Sequence, residues 1–310
     1  MNDVLDHKSG PESAPAFGRQ VQRLCVATGL LLACFGWPLF QLASFAIQSS
    51  LFSYILLIPL ISAYLIWTGR RSLILSARPC WPGAAVGFAA GAGILAAYWM
   101  GRAAGWMPAM QDYLALMMLS FLCWFWGASL AILGSKLMGQ LAFPAGFLLF
   151  IVPLPVDWLA NIDIFLQHTS AATAAAFFTL AREPLMRNGL DLHLSGFSLR
   201  VAPECSGIHS TMVLLITSTL AAHLFLRRFW TRAALVLAVI PLAILRNGFR
   251  VFVVGWLCVH ISPEMIHSPI HKRGGPIFFA LSLIPFFLWL FFLRKQDAIA
   301  AKVPKARLES

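Results

Sequence analysis

One cysteine in this chain has neighbours that suit it to nucleophilic chemistry. Cys205 lies in residues 202–210, Ala-Pro-Glu-Cys-Ser-Gly-Ile-His-Ser, a polar and turn-prone stretch just before an apolar run of membrane-spanning length. A thiolate is the reactive form of cysteine, and a nearby base or cation favours its formation. The chemistry therefore requires a base and a cation from elsewhere in the chain.

Two later segments carry such groups. Arg246-Asn247-Gly248-Phe249-Arg250 lies inside another apolar run, and His267 and His271 precede the last one. A guanidinium can donate to a developing oxyanion and stays charged at physiological pH. A histidine can move protons near neutrality. The three residue types together predict acyl transfer, in which the thiolate attacks a peptide carbonyl.

Other roles are open for these polar residues. Arg250 could extend to the membrane interface with no chemical role, and the histidines could be solvated loop residues. Arg246 shares a helix face with Arg250. It is either a second site residue or a structural cation paired with a carboxylate, for which the candidates are Asp157, Asp163 and Glu204. Asn247 suits hydrogen bonding between helices better than direct chemistry.

His209 is a rival proton acceptor. It lies four residues after Cys205 and shares a face with it if that segment is helical. The other five cysteines (Cys25, Cys34, Cys80, Cys123 and Cys258) show no metal-ligand spacing. We expect those in or beside apolar segments to be small buried residues, with Cys80 in a basic loop. We expect no metal and no cofactor.

Composition places the chain in a membrane. Of its 310 residues 59% are hydrophobic and only 11% are charged, and the mean hydropathy is +0.78. Soluble domains carry about 25% charged residues. The net charge of +11 comes from basic residues that cluster between apolar runs, as the positive-inside rule requires. We therefore expect a lipid bilayer around the chain and no nucleic-acid partner.

The apolar runs are continuous, which predicts helices. The predicted fold is an all-α polytopic membrane protein, a single integral domain over 1–310. About eight transmembrane helices are expected, near 22–47, 51–69, 82–100, 113–134, 137–156, 206–226, 233–259 and 275–293. A short extracytoplasmic β-like segment is expected before Cys205. There Leu190, Leu192 and Leu194 alternate with polar residues, between the turn dipeptides Asn188-Gly189 and Ser195-Gly196.

The basic clusters set the predicted orientation. With both termini cytoplasmic, every cluster of arginine and lysine falls on the inner side, and 1–20 and 295–310 form polar cytoplasmic tails. Residues 157–180 are apolar enough to suggest a span but carry many polar side chains. A further crossing there would place the basic clusters that follow on the outer side of the membrane. We therefore expect an interfacial or re-entrant helix, with Pro153 and Pro155 turning the chain.

This topology predicts that the reactive groups meet at one depth. Arg250 lies eighteen residues after Arg232, or about 27 Å along a helix. That distance reaches the outer end of a hydrocarbon core about 30 Å thick. Cys205 and His271 are expected at the same outer face of the membrane.

The motifs in this order resemble those of the exosortase/archaeosortase family of membrane cysteine transpeptidases. The resemblance rests on Glu204-Cys205-Ser206-Gly207-Ile208 with Ser210, on Asn247-x-x-Arg250, and on His271-x-x-x-Gly275 before an apolar helix. It covers roughly residues 140–294. It implies that Cys205 is the nucleophile, with Arg250 and His271 as the other catalytic residues. Asn247, Arg246, Ser206, Gly207 and Glu204 are then expected to support them.

The resemblance also implies a substrate class. Members cleave membrane-anchored proteins that bear a C-terminal sorting signal, often with Pro-Glu-Pro, a transmembrane helix and a basic tail. The new carboxyl end is passed to a surface acceptor on the extracytoplasmic side of the plasma membrane. Two alternatives stay open on the sequence: a membrane cysteine peptidase that only hydrolyses, and a transporter or channel with Arg246, Asn247 and Arg250 lining an anion path.

Overall fold

The structure, a computed structural model, describes residues 13–70, 78–195, 197–202, 206–262, 264 and 274–306. Contacts divide the chain into two compact units, Met1–Val156 and Asp157–Ser310, and each is described by itself. This is a division by compactness, and a single integral domain over 1–310 stays a prediction.

In its described residues, 13–70 and 78–156, the regular structure of the N-terminal unit is helical. Its helices are α1 (Ser13–Cys34), α2 (Gly36–Gln48), a 3-10 helix (Ser53–Leu57), α3 (Ile58–Gly69), α4 (Trp81–Ala103), α5 (Met110–Gln140), α6 (Ala142–Phe147) and a second 3-10 helix (Leu148–Ile151). The next helix, α7 (Val156–Leu180), begins at the last residue of this unit.

Small residues let α4 and α5 pack closely. A Cβ atom on Gly87 would lie 2.9 Å from the Gly127 Cα atom, and one on Gly91 would lie 2.5 Å from the Trp124 ring. The Ser120 hydroxyl donates to the Gly91 carbonyl at 2.9 Å. Helices in lipid associate through such close backbone approach, because apolar side chains gain little by leaving lipid for each other.

The chain returns to the start of α5 after α6. The Gln111 side-chain amide donates to the Leu154 carbonyl, and the Val156 N–H donates to Asp112 Oδ1 at 2.8 Å. Residues 141–156 therefore run back along α5, and a separate span over 137–156 is not confirmed. The kink inside α5 is at Gly134, whose φ of 79° is accessible to glycine at low cost.

The C-terminal unit contains the remainder of α7 and a small sheet followed by helices. The sheet is β1 (Leu185–Asn188), β2 (Asp191–Leu194) and β3 (Phe197–Arg200), antiparallel in that order, with Asn188 opposite Asp191 and Leu194 opposite Phe197. The helices are α8 (Ile208–Phe225), α9 (Phe229–Leu237), α10 (Val239–His260) and α11 (Gly275–Ala306). The predicted β-like lead-in is confirmed.

The sheet packs one apolar face on α7 and α10. Leu192, Leu194 and Leu199 are buried with Phe178 of α7 and Val251 of α10. The unpaired edges of an open sheet are not tolerated in hydrocarbon. The sheet packs near Val251 of α10, and we expect so open a sheet to lie outside the hydrocarbon core.

The helices are those of a multi-pass membrane protein. Five of the described helices are long and apolar enough to span a bilayer: α4, α5, α8, the continuous α9–α10 and α11. The count rises to seven if two bent pairs each form one span. The predicted count of eight is not confirmed, and Ser53–Gly69 is a shorter apolar helix.

Prolines explain both bends. The predicted span 22–47 is broken at Phe35, where α1 and α2 meet at 73°. Pro38 in the first turn of α2 cannot donate to a preceding carbonyl. The second break separates Ala142–Ile151 from α7 and contains Pro153 and Pro155, where a turn is predicted. An interfacial or re-entrant course for 157–180 stays a prediction.

The polar tail expected from residue 295 is helical as far as Ala306. Its Asp297 is buried, and its carboxylate accepts from the Arg227 N–H at 2.8 Å, the Arg228 N–H at 3.4 Å and the Thr231 hydroxyl at 3.1 Å. This carboxylate closes the turn between α8 and α9. This tertiary contact stabilises helix in a segment whose sequence predicts only a polar tail.

Replacing Asp297 with alanine is expected to lower the free energy of unfolding by about 1–3 kcal/mol, because buried backbone donors lose their acceptor. Asp297→Asn keeps one acceptor oxygen and should lose less. Thermal unfolding in detergent measures the effect. The control is Gln296→Ala at an exposed neighbouring position, and equal stability of the two alanine variants would contradict the role of Asp297.

Candidate active site

The predicted site is described in part. Ser206, Gly207, Arg246, Asn247 and Arg250 lie in the described residues. Cys205 and His271 lie outside them, as do Glu204 and His267. The geometry below is therefore that of the loop directly after Cys205 and of the helix that contacts it.

Gly207 begins α8 in a conformation that suits glycine. It is the N-terminal cap residue, with φ 69° and ψ 21°, in the left-handed region. Ser206 before it is fully buried. Because α8 starts at Ile208, the segment between Cys205 and His209 is not one helix, and the condition for a shared helix face is not met. His209 itself is exposed.

The Asn247 side chain bridges α10 to the loop. Its amide nitrogen donates to the Ser206 carbonyl. Its amide oxygen accepts from Arg246 Nε at 3.2 Å and from Arg246 Nη2 at 3.1 Å. Asn247 is only 2% exposed. The amide makes the hydrogen bond between helix and loop that its residue type favours inside a membrane.

Arg246 holds the next carbonyl of the loop. Its Nη2 donates to the Gly207 carbonyl at 3.2 Å and to Thr211 Oγ1 at 3.3 Å, and the residue is 7% exposed. Its hydrogen-bond partners among the described residues are Asn247, Gly207 and Thr211, so the expected pairing with Asp157 or Asp163 is not found. Asp163 instead accepts from Gln167 at 2.7 Å. Glu204 is outside the described residues.

Thr211 is a contributor that the sequence reasoning missed. Its hydroxyl donates to the Gly207 carbonyl at 2.9 Å, while its N–H makes the helical bond to the same oxygen at 3.0 Å. Ser210 Oγ adds a further bond at 3.1 Å. The sequence feature that could have indicated this role is a threonine four residues after Gly207, at the start of an apolar run.

Arg250 lies one turn beyond Arg246 in α10, toward the sheet, and is half-buried. Residues four apart on a helix are neighbours on one face. The structure thus brings Arg246 and Asn247 to Ser206 and Gly207 and places Arg250 one turn away. A guanidinium can stabilise an oxyanion that forms beside it.

The other cysteines lie elsewhere in the fold. Cys258 is buried, as expected for a small apolar residue. Cys25 and Cys34 are exposed on α1, so the expectation of burial is wrong for them. Their helix presents them on its outer surface, where a membrane protein meets lipid. Cys80 and Cys123 are partly buried.

A side chain at position 207 is disfavoured both by the backbone conformation and by a clash with Asn247. Comparison with Gly189, which has only the backbone constraint, separates the two effects. The φ of Gly207 is positive, and a Cβ atom there would lie 2.6 Å from Asn247 Cγ. Gly189 has a similar φ of 61° with nothing near its Cβ position. Gly189→Ala should therefore lose only about 1–2 kcal/mol of unfolding free energy, from the backbone. Gly207→Ala should lose clearly more in the same measurement.

The excess loss should disappear when Asn247 is shortened. In an Asn247→Ala background, Gly207→Ala is expected to lose no more than Gly189→Ala does, since the clashing amide is gone. A double-mutant cycle measures this coupling. Additive losses, with no coupling between positions 207 and 247, would show that the amide does not abut Gly207.

Comparison with known proteins places this arrangement in a family. The model for the family described as transmembrane exosortase (Exosortase_EpsH) matches residues 46–288. The match includes Cys205, Arg250 and His271, and it extends well before residue 140, where the predicted resemblance begins. No curated protein and no solved structure matches the chain. The family model covers most of the 310 residues, and the chain therefore belongs to the transmembrane exosortase family.

Proposed function

We propose that this protein cleaves the C-terminal sorting signals of exported proteins through Cys205 and transfers the new carboxyl end to a surface acceptor. Membership of the exosortase family, a cysteine-protease-like enzyme family, is consistent with a sorting-signal processing enzyme. The proposal adds the thioacyl intermediate, the transfer step and the residues that carry them.

One observation supports it most. Two buried polar side chains of α10, Arg246 and Asn247, bond to the carbonyls of Ser206 and Gly207. These are the two residues that directly follow Cys205. Buried polar groups in a membrane helix are costly and are usually functional. Both side chains hold one short loop in place. A nucleophile in that loop must be positioned accurately, because a small displacement of reacting groups lowers the rate strongly.

The proposed reaction has two halves. The Cys205 thiolate attacks the scissile carbonyl carbon, and Arg250 donates to the oxyanion that forms. The carbon–nitrogen bond then breaks, and His271 gives a proton to the leaving amine. In the second half an acceptor nucleophile attacks the thioester. It gives its proton to His271, and the thiolate leaves.

The proposed substrate reaches the site within the membrane. A protein anchored by its own helix diffuses in two dimensions and presents its cleavage motif at a fixed depth. We expect the sheet to lie outside the hydrocarbon core, and Arg250 directly precedes Val251, which packs against that sheet. The positive-inside rule supports assigning this end of α10 to the extracytoplasmic face of the plasma membrane.

Removal of the nucleophile tests the proposal. Cys205→Ala is expected to abolish processing of a co-expressed, tagged protein that ends in Pro-Glu-Pro, an apolar helix and a basic tail. The precursor should accumulate while the level and membrane insertion of the enzyme stay normal. The matched control changes Cys25, Cys34, Cys80, Cys123 and Cys258 together to alanine or serine, and it should keep most activity.

Two outcomes would oppose the proposal. Processing at the unsubstituted rate by Cys205→Ala would exclude the cysteine mechanism. A labelled amine acceptor separates transfer from hydrolysis, since only transfer incorporates the label into the product. Persistent absence of the label in a cleaved product would restrict the activity to hydrolysis.

The two loop histidines are expected to differ. His271→Ala should remove most processing, whereas His267→Ala, four residues earlier, should leave most of it. Activity should depend on pH near neutrality, because the proposed proton carrier must titrate there. Rates of the two variants across pH measure this. An active His271→Ala protein together with an inactive His267→Ala protein would reverse the assignment.

A further inference from the structure

Two basic segments that are far apart in sequence meet at one end of the C-terminal unit. Arg227 and Arg228 lie in the turn between α8 and α9, and Arg294 and Lys295 lie in the second half of α11. Asp297 of α11 joins the segments, because its Oδ2 atom accepts from the N–H groups of Arg227 and Arg228. Arg294 lies three residues before Asp297, on the same side of its helix. These four basic residues and Arg232, in the first turn of α9, are called the basic cluster below.

The charges of the basic cluster are not balanced in the described part of the chain. Its members are exposed apart from Arg232, which is partly buried and donates from Nε to the Leu226 carbonyl at 2.9 Å. None of the five forms an ion pair among the described residues. Asp297 is 7% exposed and its oxygens already accept from backbone N–H groups and from the Thr231 hydroxyl. Cations this close to one another repel at distances below about 10 Å, so the cluster favours an external anion.

The basic cluster lies where helices of membrane-spanning length end. Residues 226–228 connect α8 to the continuous α9–α10, and both helices are long and apolar enough to span a bilayer. A third such helix is α11, whose apolar run ends at Leu293, directly before Arg294. Irregular backbone that faces lipid is excluded from the hydrocarbon core, so a turn between two spans lies at a membrane face. The positive-inside rule supports the cytoplasmic leaflet for this face.

Exposed aromatic side chains beside the basic cluster indicate what kind of anion fits. Phe229 and Trp230 begin α9 and are 73% and 80% exposed, and Phe225 at the end of α8 is 49% exposed. Tryptophan beside basic residues is typical of the headgroup level of a membrane. A soluble anion complements the cations and leaves the aromatic rings in water. A phospholipid complements both, because its phosphate is charged and its acyl chains are apolar.

We propose that the basic cluster binds the phosphodiester headgroup of an anionic phospholipid, whose acyl chains lie against Phe229 and Trp230. Clusters of roughly four to eight basic residues next to a spanning helix are typical of sites for anionic lipids. Guanidinium groups suit this ligand because their planar N–H donors bind two phosphate oxygens at once. The bound lipid links the α8–α9 turn to α11 on the outer surface, as the Asp297 carboxylate does inside. The inference is independent of the proposed function, since the residues of the proposed reaction take no part in it.

Removal of two charges tests the inference. The full chain in detergent is titrated with phosphatidylglycerol or with phosphatidylcholine of the same acyl chains, and native mass spectrometry counts the bound lipid. Arg227→Gln with Arg294→Gln is expected to weaken phosphatidylglycerol binding about 30-fold, at about fivefold for each charge near a membrane surface. The N–H of residue 227 that binds Asp297 is retained in this variant.

The matched control removes the same charge elsewhere in the unit. Arg182→Gln with Arg200→Gln changes two exposed arginines at the sheet and at the turn before it, and it should leave phosphatidylglycerol binding unchanged. Equal loss of binding in the two double variants would overturn the inference. Equal affinity of the unsubstituted protein for the two lipids would do the same. Displacement of phosphatidylglycerol by inorganic phosphate would also overturn it, because it would show a site for soluble anions.

Thermal unfolding in detergent supplies a second measurement. A ligand that binds the folded state raises the Tm. Phosphatidylglycerol should therefore raise the Tm of the unsubstituted protein and of the control variant more than that of the protein with Arg227→Gln and Arg294→Gln. A rise of the same size in all three proteins would contradict binding at the basic cluster.

Discussion

The described fold of the C-terminal unit depends on how a buried guanidinium is satisfied below the membrane surface. A charge in hydrocarbon must find acceptors within reach. Arg246 finds the Gly207 carbonyl, Thr211 Oγ1 and the Asn247 amide oxygen. That solution determines several features of the sequence at once. The loop must bring its carbonyls toward α10, which requires a left-handed residue at position 207 and leaves it no room for a side chain. The polar groups of α10 and the glycine before α8 therefore form one unit, and neither has a sufficient explanation without the other.

Around this unit the fold supplies fixed supports at both ends of the helices. At one end the sheet packs its leucines on α7 and α10. Its own backbone hydrogen bonds let a non-helical segment sit beside the membrane surface. At the other end Asp297 of α11 binds the turn between α8 and α9. Sites held on packed helices are more precise than sites on free loops. The loop at Ser206 and Gly207 gains that precision because two helical side chains hold its carbonyls.

Much of this architecture was predictable, for identifiable reasons. Long apolar runs predict helices, alternating leucines between turn dipeptides predict the hairpins, and the spacing of Arg246 and Arg250 predicts one helix face. The partner of Arg246 was not predictable. Sequence spacing suggested a carboxylate, whereas the acceptor is a backbone carbonyl thirty-nine residues away, and every residue has such a carbonyl. The helical course of 295–306 was missed for a similar reason. Its burial depends on Asp297 meeting donors about seventy residues earlier in the chain, and composition alone describes the segment as a polar tail.

The contact of Gly248 with α7 bears on how α10 is rotated about its own axis, and so on where its polar side chains lie. A Cβ atom on Gly248 would lie 2.5 Å from the Thr173 side chain of α7, so α10 packs its backbone against that side chain directly beside Asn247. This contact fixes the angle of α10 about its own axis. At the roughly 6 Å radius of a helix with its side chains, a turn of ten degrees moves a side-chain tip by about 1 Å. That displacement exceeds the range of about 0.5 Å over which N–H···O distances vary. Contact with Thr173 therefore limits the rotation of α10, and this limit helps to position the side chains of Arg246 and Asn247.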